Sequence, residues 1–154
     1  MDWIEIALRL SAATLIGGVL GLNRDLHGKP TGVRTLGLVG LGSAMVVVAV
    51  VNTGPAGSGD FSAASRIVQG ILTGIGFLGA GVIVRGVGKG RVHGLTTAAC
   101  TWLTACLGTV CGFARAPVIV IAVVLTTAIL IFGGPIERWF HARLPPPDDN
   151  PGVS

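Results

Sequence analysis

GILTGIGFLGAGVIVR, residues Gly70–Arg85, decides the fold: it holds five glycines and no charge before its final arginine. In water each interior glycine costs a helix about 1 kcal/mol relative to alanine, so a soluble helix of this composition would be unstable. Inside a bilayer the same glycines let neighbouring helices approach backbone to backbone. The stretch is long enough to cross a membrane and reads as a membrane-embedded packing helix. The whole chain agrees, with a mean hydropathy of +0.77. Hydrophobic residues make up 51% of its 154 residues and charged residues 12%, about half the charged share of a soluble domain. That length allows one domain, and the even scatter of apolar runs leaves no room for a second globular module.

Five apolar segments follow one another, near Trp3–Leu22, Thr35–Val51, Ile67–Val84, Leu95–Gly112 and Pro117–Phe132. Each approaches the length that crosses about 30 Å of hydrocarbon at 1.5 Å per residue. No period-two alternation competes, so the expected fold is an all-α, polytopic transmembrane bundle of five spans. The first span is expected to be retained: a signal peptide needs a positive n-region, and only Asp2 and Glu5 lead into this apolar run.

Charge placement sets an expected orientation. The first connection carries Arg24, Lys29 and Arg34, the third carries Arg85, Lys89 and Arg91, and the C-terminal segment adds Arg138 and Arg143. The second and fourth connections offer Arg66 and Arg115, and Arg9 lies within the first span. Eight of the eleven Lys and Arg thus share one side, which the positive-inside rule assigns to the cytoplasm. The N-terminus is then outside and the C-terminus inside. Residues 1–143 form the transmembrane domain, and the Pro-rich segment 144–154 is expected to be a disordered cytoplasmic tail. A net charge of +4 raises the question of nucleic acid. The cations lie on short juxtamembrane loops without aromatic stacking platforms, so no nucleic-acid partner is expected. The bilayer, with its anionic headgroups, accounts for them.

Several constellations admit a functional and a structural reading. Glu5 and Arg9, four apart, can form a helical ion pair; intramembrane charges often mark function, but both also lie near the outer interface, where Arg9 can snorkel. Asn23, Arg24 and Asp25 close the first span and Arg34 opens the second, as a polar network or ligand site or as headgroup anchors. Gly17/Gly21, Gly70/Gly74 and Gly108/Gly112 fit the small-residue packing motif and support a tight bundle and a homo-oligomer. Thr96, Thr97, Thr101 and Thr104 follow the helical period on the fourth span; they either line a cavity or bond back to their own helix carbonyls. Cys100, Cys106 and Cys111 read as small buried hydrophobes. His27, His93 and His141 have no ligand spacing, and no metal or cofactor is expected. The run Gly86-x-Gly88-Lys89-Gly90 lacks phosphate-loop spacing and reads as a linker. No G-x-S-x-G, H-E-x-x-H or triad is present, so no enzyme is expected. Glu5 is the lone carboxylate within the spans, which argues against a Mg²⁺ pore, since Mg²⁺ is held through oxygen ligands.

The blocks GLNRDLHGKPTGVRT (Gly21–Thr35), RIVQGILTGIGFLGAGVIVR (Arg66–Arg85) and GLTTAACTWLTACLG (Gly94–Gly108) resemble, in order and spacing, the three signature blocks of the MgtC/SapB family. The resemblance covers most of residues 1–133. It implies a bacterial inner-membrane protein of about five spans, with some relatives linked to growth in low Mg²⁺ and to survival inside macrophages. Those relatives are thought to restrain the F-type ATP synthase and adjust membrane potential rather than carry Mg²⁺. The family's polar positions match Asn23, Arg24, Arg34, Gln69 and Arg85, and its glycines match Gly74, Gly76, Gly79 and Gly81. Gln69 is then expected to hydrogen-bond across helices. Virulence-type members continue into a soluble C-terminal domain and can carry Asn where this chain has Thr96; both departures point to a shorter, SapB-like branch.

Two functions follow as expectations. The first is a non-enzymatic regulator of ion homeostasis acting through a partner membrane protein, the F-type ATP synthase by resemblance. The second is a small-ion or small-solute transporter whose path runs between the threonine stripe and the basic cluster.

Overall fold

The computed structural model describes residues 1–53, 61–85, 92–114 and 116–141. The helices are α1 (Trp3–Leu26), α2 (Val33–Thr53), α3 (Phe61–Val82), α4 (Leu95–Gly112) and α5 (Ala116–His141). All five are long and apolar enough to cross a membrane. A minimal antiparallel pair, β1 (Val84–Arg85) and β2 (Val92–His93), follows α3, with Val84 opposite His93 and Arg85 opposite Val92. The chain is therefore an all-α, multi-pass membrane bundle. Long aliphatic side chains stay exposed along Ile4, Leu8, Leu15 and Val19 of α1 and along Val120, Val124 and Ile129 of α5, as helices bathed in lipid require.

Helix ends outrun the apolar spans. α1 continues past Leu22 to Leu26, α2 starts at Val33 and α3 at Phe61. α5 runs on from Phe132 through Gly133, Gly134 and Pro135. Hydropathy marks the hydrocarbon depth, whereas backbone hydrogen bonding carries on into the interface, where polar side chains are solvated. Pro135 removes one backbone bond there, on a stretch whose residues are exposed. Val84, placed at the end of the third span by hydropathy, instead belongs to β1. The linker reading of Gly86–Gly90 and the tail reading of 144–154 lie outside the described residues.

α4 is the axis of the bundle. It packs against each of the other four helices, and ten of its eighteen residues are buried. Leu107 joins Leu20 and Leu36 in one core cluster, and Cys111 joins Ala13 and Ala44 in another. α5 touches mainly α4 and lies at the periphery.

The glycines divide into two classes. A Cβ on Gly21 would stand 2.6 Å from the carbonyl of Gly32 and from Val33 Cα, and one on Gly112 would stand 2.6 Å from Val47 Cβ. Gly17 meets the Leu36 carbonyl, Gly40 that of Ala13, and Gly108 that of Gly40, equally closely. These positions set the α1–α2 and α2–α4 spacings, because only a missing Cβ lets the backbones come so near. The second class belongs to α3. Gly70, Gly74, Gly76 and Gly81 have nothing within 4 Å of an added Cβ, and Gly79 has only Ala98 Cβ, at an ordinary 3.7 Å. Of the glycines expected to pack helices, Gly17, Gly21, Gly108 and Gly112 stand at close backbone approaches, Gly79 at ordinary contact, and Gly70, Gly74, Gly76 and Gly81 have no neighbour among the described residues. Periodicity identifies a glycine face without saying whether a helix lies against it.

Candidate functional site

The first connection begins with a tight helix end. The Lys29 N–H donates to the Arg24 carbonyl at 3.0 Å and the Gly28 N–H to the Asp25 carbonyl at 3.0 Å. That is the Schellman arrangement, and it places Gly28 in the left-handed region at φ +61°. Pro30 follows because the helix cannot continue. The sequence DLHGKP thereby folds its Pro30 carbonyl back over the last turn of α1.

Arg24 occupies the space this creates and is only 5% exposed. Its Nε–H donates to the Pro30 carbonyl at 3.2 Å and one terminal nitrogen reaches the same oxygen at 2.9 Å. That nitrogen also donates to Thr97 Oγ1, and the other lies 3.3 Å from Cys100 Sγ. Arg24 thus ties the α1–α2 turn to the first turns of α4. All three partners are neutral, and among the described residues no carboxylate pairs with Arg24. The cation also sits at the positive end of the α4 dipole. A buried guanidinium in that setting is expensive, and four hydrogen bonds to neutral acceptors rather than an opposite charge offset its desolvation.

Asp25, exposed, points the other way. Its Oδ2 accepts from the Val33 N–H at 2.9 Å, and its carboxylate lies where a Gly32 side chain would be. It therefore caps α2 from the neighbouring helix, since Gly32 has no side chain with which to do so. Asn23, half-buried, offers its backbone carbonyl to His27 Nδ1 at 2.7 Å.

The remaining expected members do not join Arg24. Arg34 and Thr96 are exposed; on a helix the next residue is rotated by 100°, and Thr97 rather than Thr96 faces α1. Gln69 is exposed on α3; among the described residues it makes no bond across helices, contrary to the expectation. The backbone of Arg85 lies in β1, and its side chain is outside the described residues.

The opposite end of the bundle holds a second arginine site. Arg9 pairs with Glu5 and donates to the Gly112 carbonyl at 2.6 Å. A cation at the C-terminus of α4 is favourably placed against the helix dipole. Arg9 and Arg24 are fifteen residues apart on α1, as are Gly112 and Thr97 on α4. The two helices are antiparallel and pinned at both ends in one register. Sequence reasoning could not find the Arg9–Gly112 link, because its acceptor is a backbone oxygen.

Of the threonine stripe, Thr97, Thr101 and Thr104 are buried, and beyond Thr97 the hydroxyls, that of buried Thr109 included, are spent locally. Thr101 donates to the Thr97 carbonyl at 2.9 Å, Thr104 to Cys100 at 2.8 Å and Thr109 to Ala105 at 2.8 Å. An open groove of about 510 Å³ does flank α4, between it and α3, but it is apolar, lined by Ile75, Gly79, Ala98 and Trp102 among others.

The sequence profile of the MgtC family matches residues 10–139. Protein SrpB of Synechococcus elongatus is 47% identical over 118 residues, which cover 72% of this chain and 65% of SrpB. Protein MgtC of Salmonella typhimurium is 40% identical over 70% of this chain and 43% of its own length. The putative magnesium transporter YhiD of Escherichia coli is 37% identical over 70% of this chain and 51% of its own length. The chain thus spans about half to two thirds of the curated relatives it matches. No solved structure matches. With most of the five-helix bundle inside the matched region, the chain belongs to the MgtC family.

Proposed function

We propose that this protein is a non-enzymatic bacterial inner-membrane regulator that influences Mg²⁺-linked ion homeostasis or membrane potential through a partner membrane protein. The N-terminus lies outside and the C-terminus in the cytoplasm, with the basic Arg24 end facing inward. One observation carries the reading: the charged groups and buried threonines along the α1–α4 seam are already engaged. Glu5 is taken by Arg9 and Asp25 caps α2. Each nitrogen of the Arg24 guanidinium has a neutral acceptor, and the hydroxyls of Thr101 and Thr104 bond to their own helix. Such a set leaves little with which to coordinate a passing cation, which needs oxygen ligands. The name of the E. coli relative, a putative magnesium transporter, supports the magnesium link, and resemblance to the family favours the F-type ATP synthase as partner.

The YhiD name favours a second reading, transport of a small ion or solute. Flux of Mg²⁺, K⁺, H⁺ and simple anions into liposomes holding the purified chain alone separates the two. No flux, with the protein folded and inserted, is expected. Saturable flux that falls on Arg24→Gln or Thr97→Val would overturn the regulatory reading.

A further inference from the structure

The open groove between α3 and α4, about 510 Å³, arises because the two helices touch through residues too small to fill the surface in front of the contact. Gly94 lies against the Val82 carbonyl, and Gly79 stands in ordinary contact with Ala98 Cβ at 3.7 Å. Four residues further on, this antiparallel register brings Trp102 level with Ile75. Gly76, Gly79, Ala98 and Ala99 line the groove, with Ile75 and Trp102 toward one end and Ile83 toward the other.

Its length points to what fills it. From Ile75 to Ile83 is about 12 Å of α3, close to half of the ~30 Å hydrocarbon, and the lining stops where α3 gives way to β1 at Val84. The groove therefore spans one leaflet. Water is absent at that depth, and an empty groove would forfeit the dispersion contacts of its whole lining. A transmembrane helix, from a partner or a second copy, docks along a face that continues through both leaflets, and this one ends at Trp102 and Leu103. An acyl chain has both the chemistry and the length.

Charge at the interfacial end selects the headgroup. Residues 83–94 contain Arg85, Lys89 and Arg91 and no carboxylate, and residues 23–34 set Arg24, Lys29 and Arg34 against Asp25 alone. α4 turns its positive end to the same side, and its N-cap, Gly94, has no side chain to neutralise it. Buried Arg24, bonded to Thr97, adds a charge that no described carboxylate pairs.

We propose that the α3–α4 groove is a lipid site, holding one acyl chain of an anionic phospholipid from the leaflet at the basic end. The orientation given above makes that the cytoplasmic leaflet. The site does not depend on whether the chain regulates a partner or carries an ion.

Trp102 lines the groove and serves as the reporter. With Trp3→Phe and Trp139→Phe it is the sole remaining tryptophan of three, and bromine on an acyl chain quenches it only at close contact. The full chain in phosphatidylcholine vesicles is given a minor fraction of chain-brominated phosphatidylglycerol, or the same fraction of chain-brominated phosphatidylcholine. Quenching by the phosphatidylglycerol is expected to be stronger by about threefold or more. Gly76→Leu puts a side chain into the groove from a position with nothing within 4 Å of an added Cβ. It should bring the two lipids to parity while leaving thermal unfolding unchanged. Gly74→Leu, equally open but about 200° round the helix from Gly76, should keep the preference. Parity in the parent protein would overturn the proposal, because the lipid touching Trp102 would then be bulk solvent. A preference that survives Gly76→Leu would also overturn it, by placing the anionic lipid elsewhere. So would shielding of Trp102 from both lipids that is relieved on diluting the protein in the bilayer, which would assign the groove to a second copy.

Discussion

Replacing Gly21 by alanine should loosen the α1–α2 hairpin, and Gly74→Ala provides a matched control elsewhere. The new Cβ at Gly21 would lie 2.6 Å from the Gly32 carbonyl and Val33 Cα, where ordinary contact begins near 3.4 Å. Both obstacles are backbone, so relief requires the helices to part by roughly 1 Å, against typical overpacking costs of about 1–3 kcal/mol. Parting also strains the Asp25–Val33 cap and the Gly17–Leu36 approach. Alanine returns about 1 kcal/mol of helix propensity, leaving a net loss of about 0–2 kcal/mol. At Gly74 nothing lies within 4 Å, so only the propensity gain applies. Reversible unfolding in mixed dodecyl maltoside/SDS micelles, followed by circular dichroism, should separate the two variants by about 1–3 kcal/mol, the overpacking cost alone. A Gly21→Ala protein as stable as the Gly74→Ala protein would refute the division of the glycines.

Other expectations concern the two arginines, the α2 cap and the thiols. Arg24→Leu should destabilise the fold by about 2–3 kcal/mol in the same assay, since it strands the Pro30 carbonyl and the Thr97 hydroxyl. Arg24→Lys should recover little, because one ammonium cannot reproduce the planar fork that serves both. Asp25→Ala should cost about 1 kcal/mol and speed amide exchange at Val33, with Asp25→Asn losing less. Glu5→Gln should cost at most about 1 kcal/mol, because Glu5 is 46% exposed and Arg9 keeps its bond to Gly112; a larger loss would make the ion pair the main tether. N-ethylmaleimide should modify half-buried Cys106 first in the folded protein and reach buried Cys100 and Cys111 only on unfolding.

Much of the fold was legible because its signals are local. Apolar runs of near-membrane length mark all five helices, and the fourth span matches α4 residue for residue, with Gly94 and Phe113 as the caps of the helix. The other ends were less legible: polar residues at the interface keep a helix going after hydropathy has fallen. Arg24 stood out as a charge at a span end, but its burial depends on the Schellman turn bringing Pro30 above it. Thr97 was visible only as one of a stripe, and the choice between it and Thr96 turns on the rotation of α4 against α1. Gln69 and Arg34 share the sequence character of Arg24 and lack its environment, because α3 and the start of α2 present them outward. Spacing along a helix fixes which residues share a face; which face meets a neighbour is set by the other four helices together.

The two arginine links between α1 and α4 also bear on how this protein meets the bilayer. Fifteen residues of helix separate them, about 22 Å, on both partners alike. Sliding α4 along α1 by one turn would strand both guanidiniums at once. A thinner or thicker membrane therefore cannot be accommodated by shear between these helices, and the pair must tilt as one rod. α3 and α5, which among the described residues have no such fasteners to α1, are the elements left to lean differently when bilayer thickness changes.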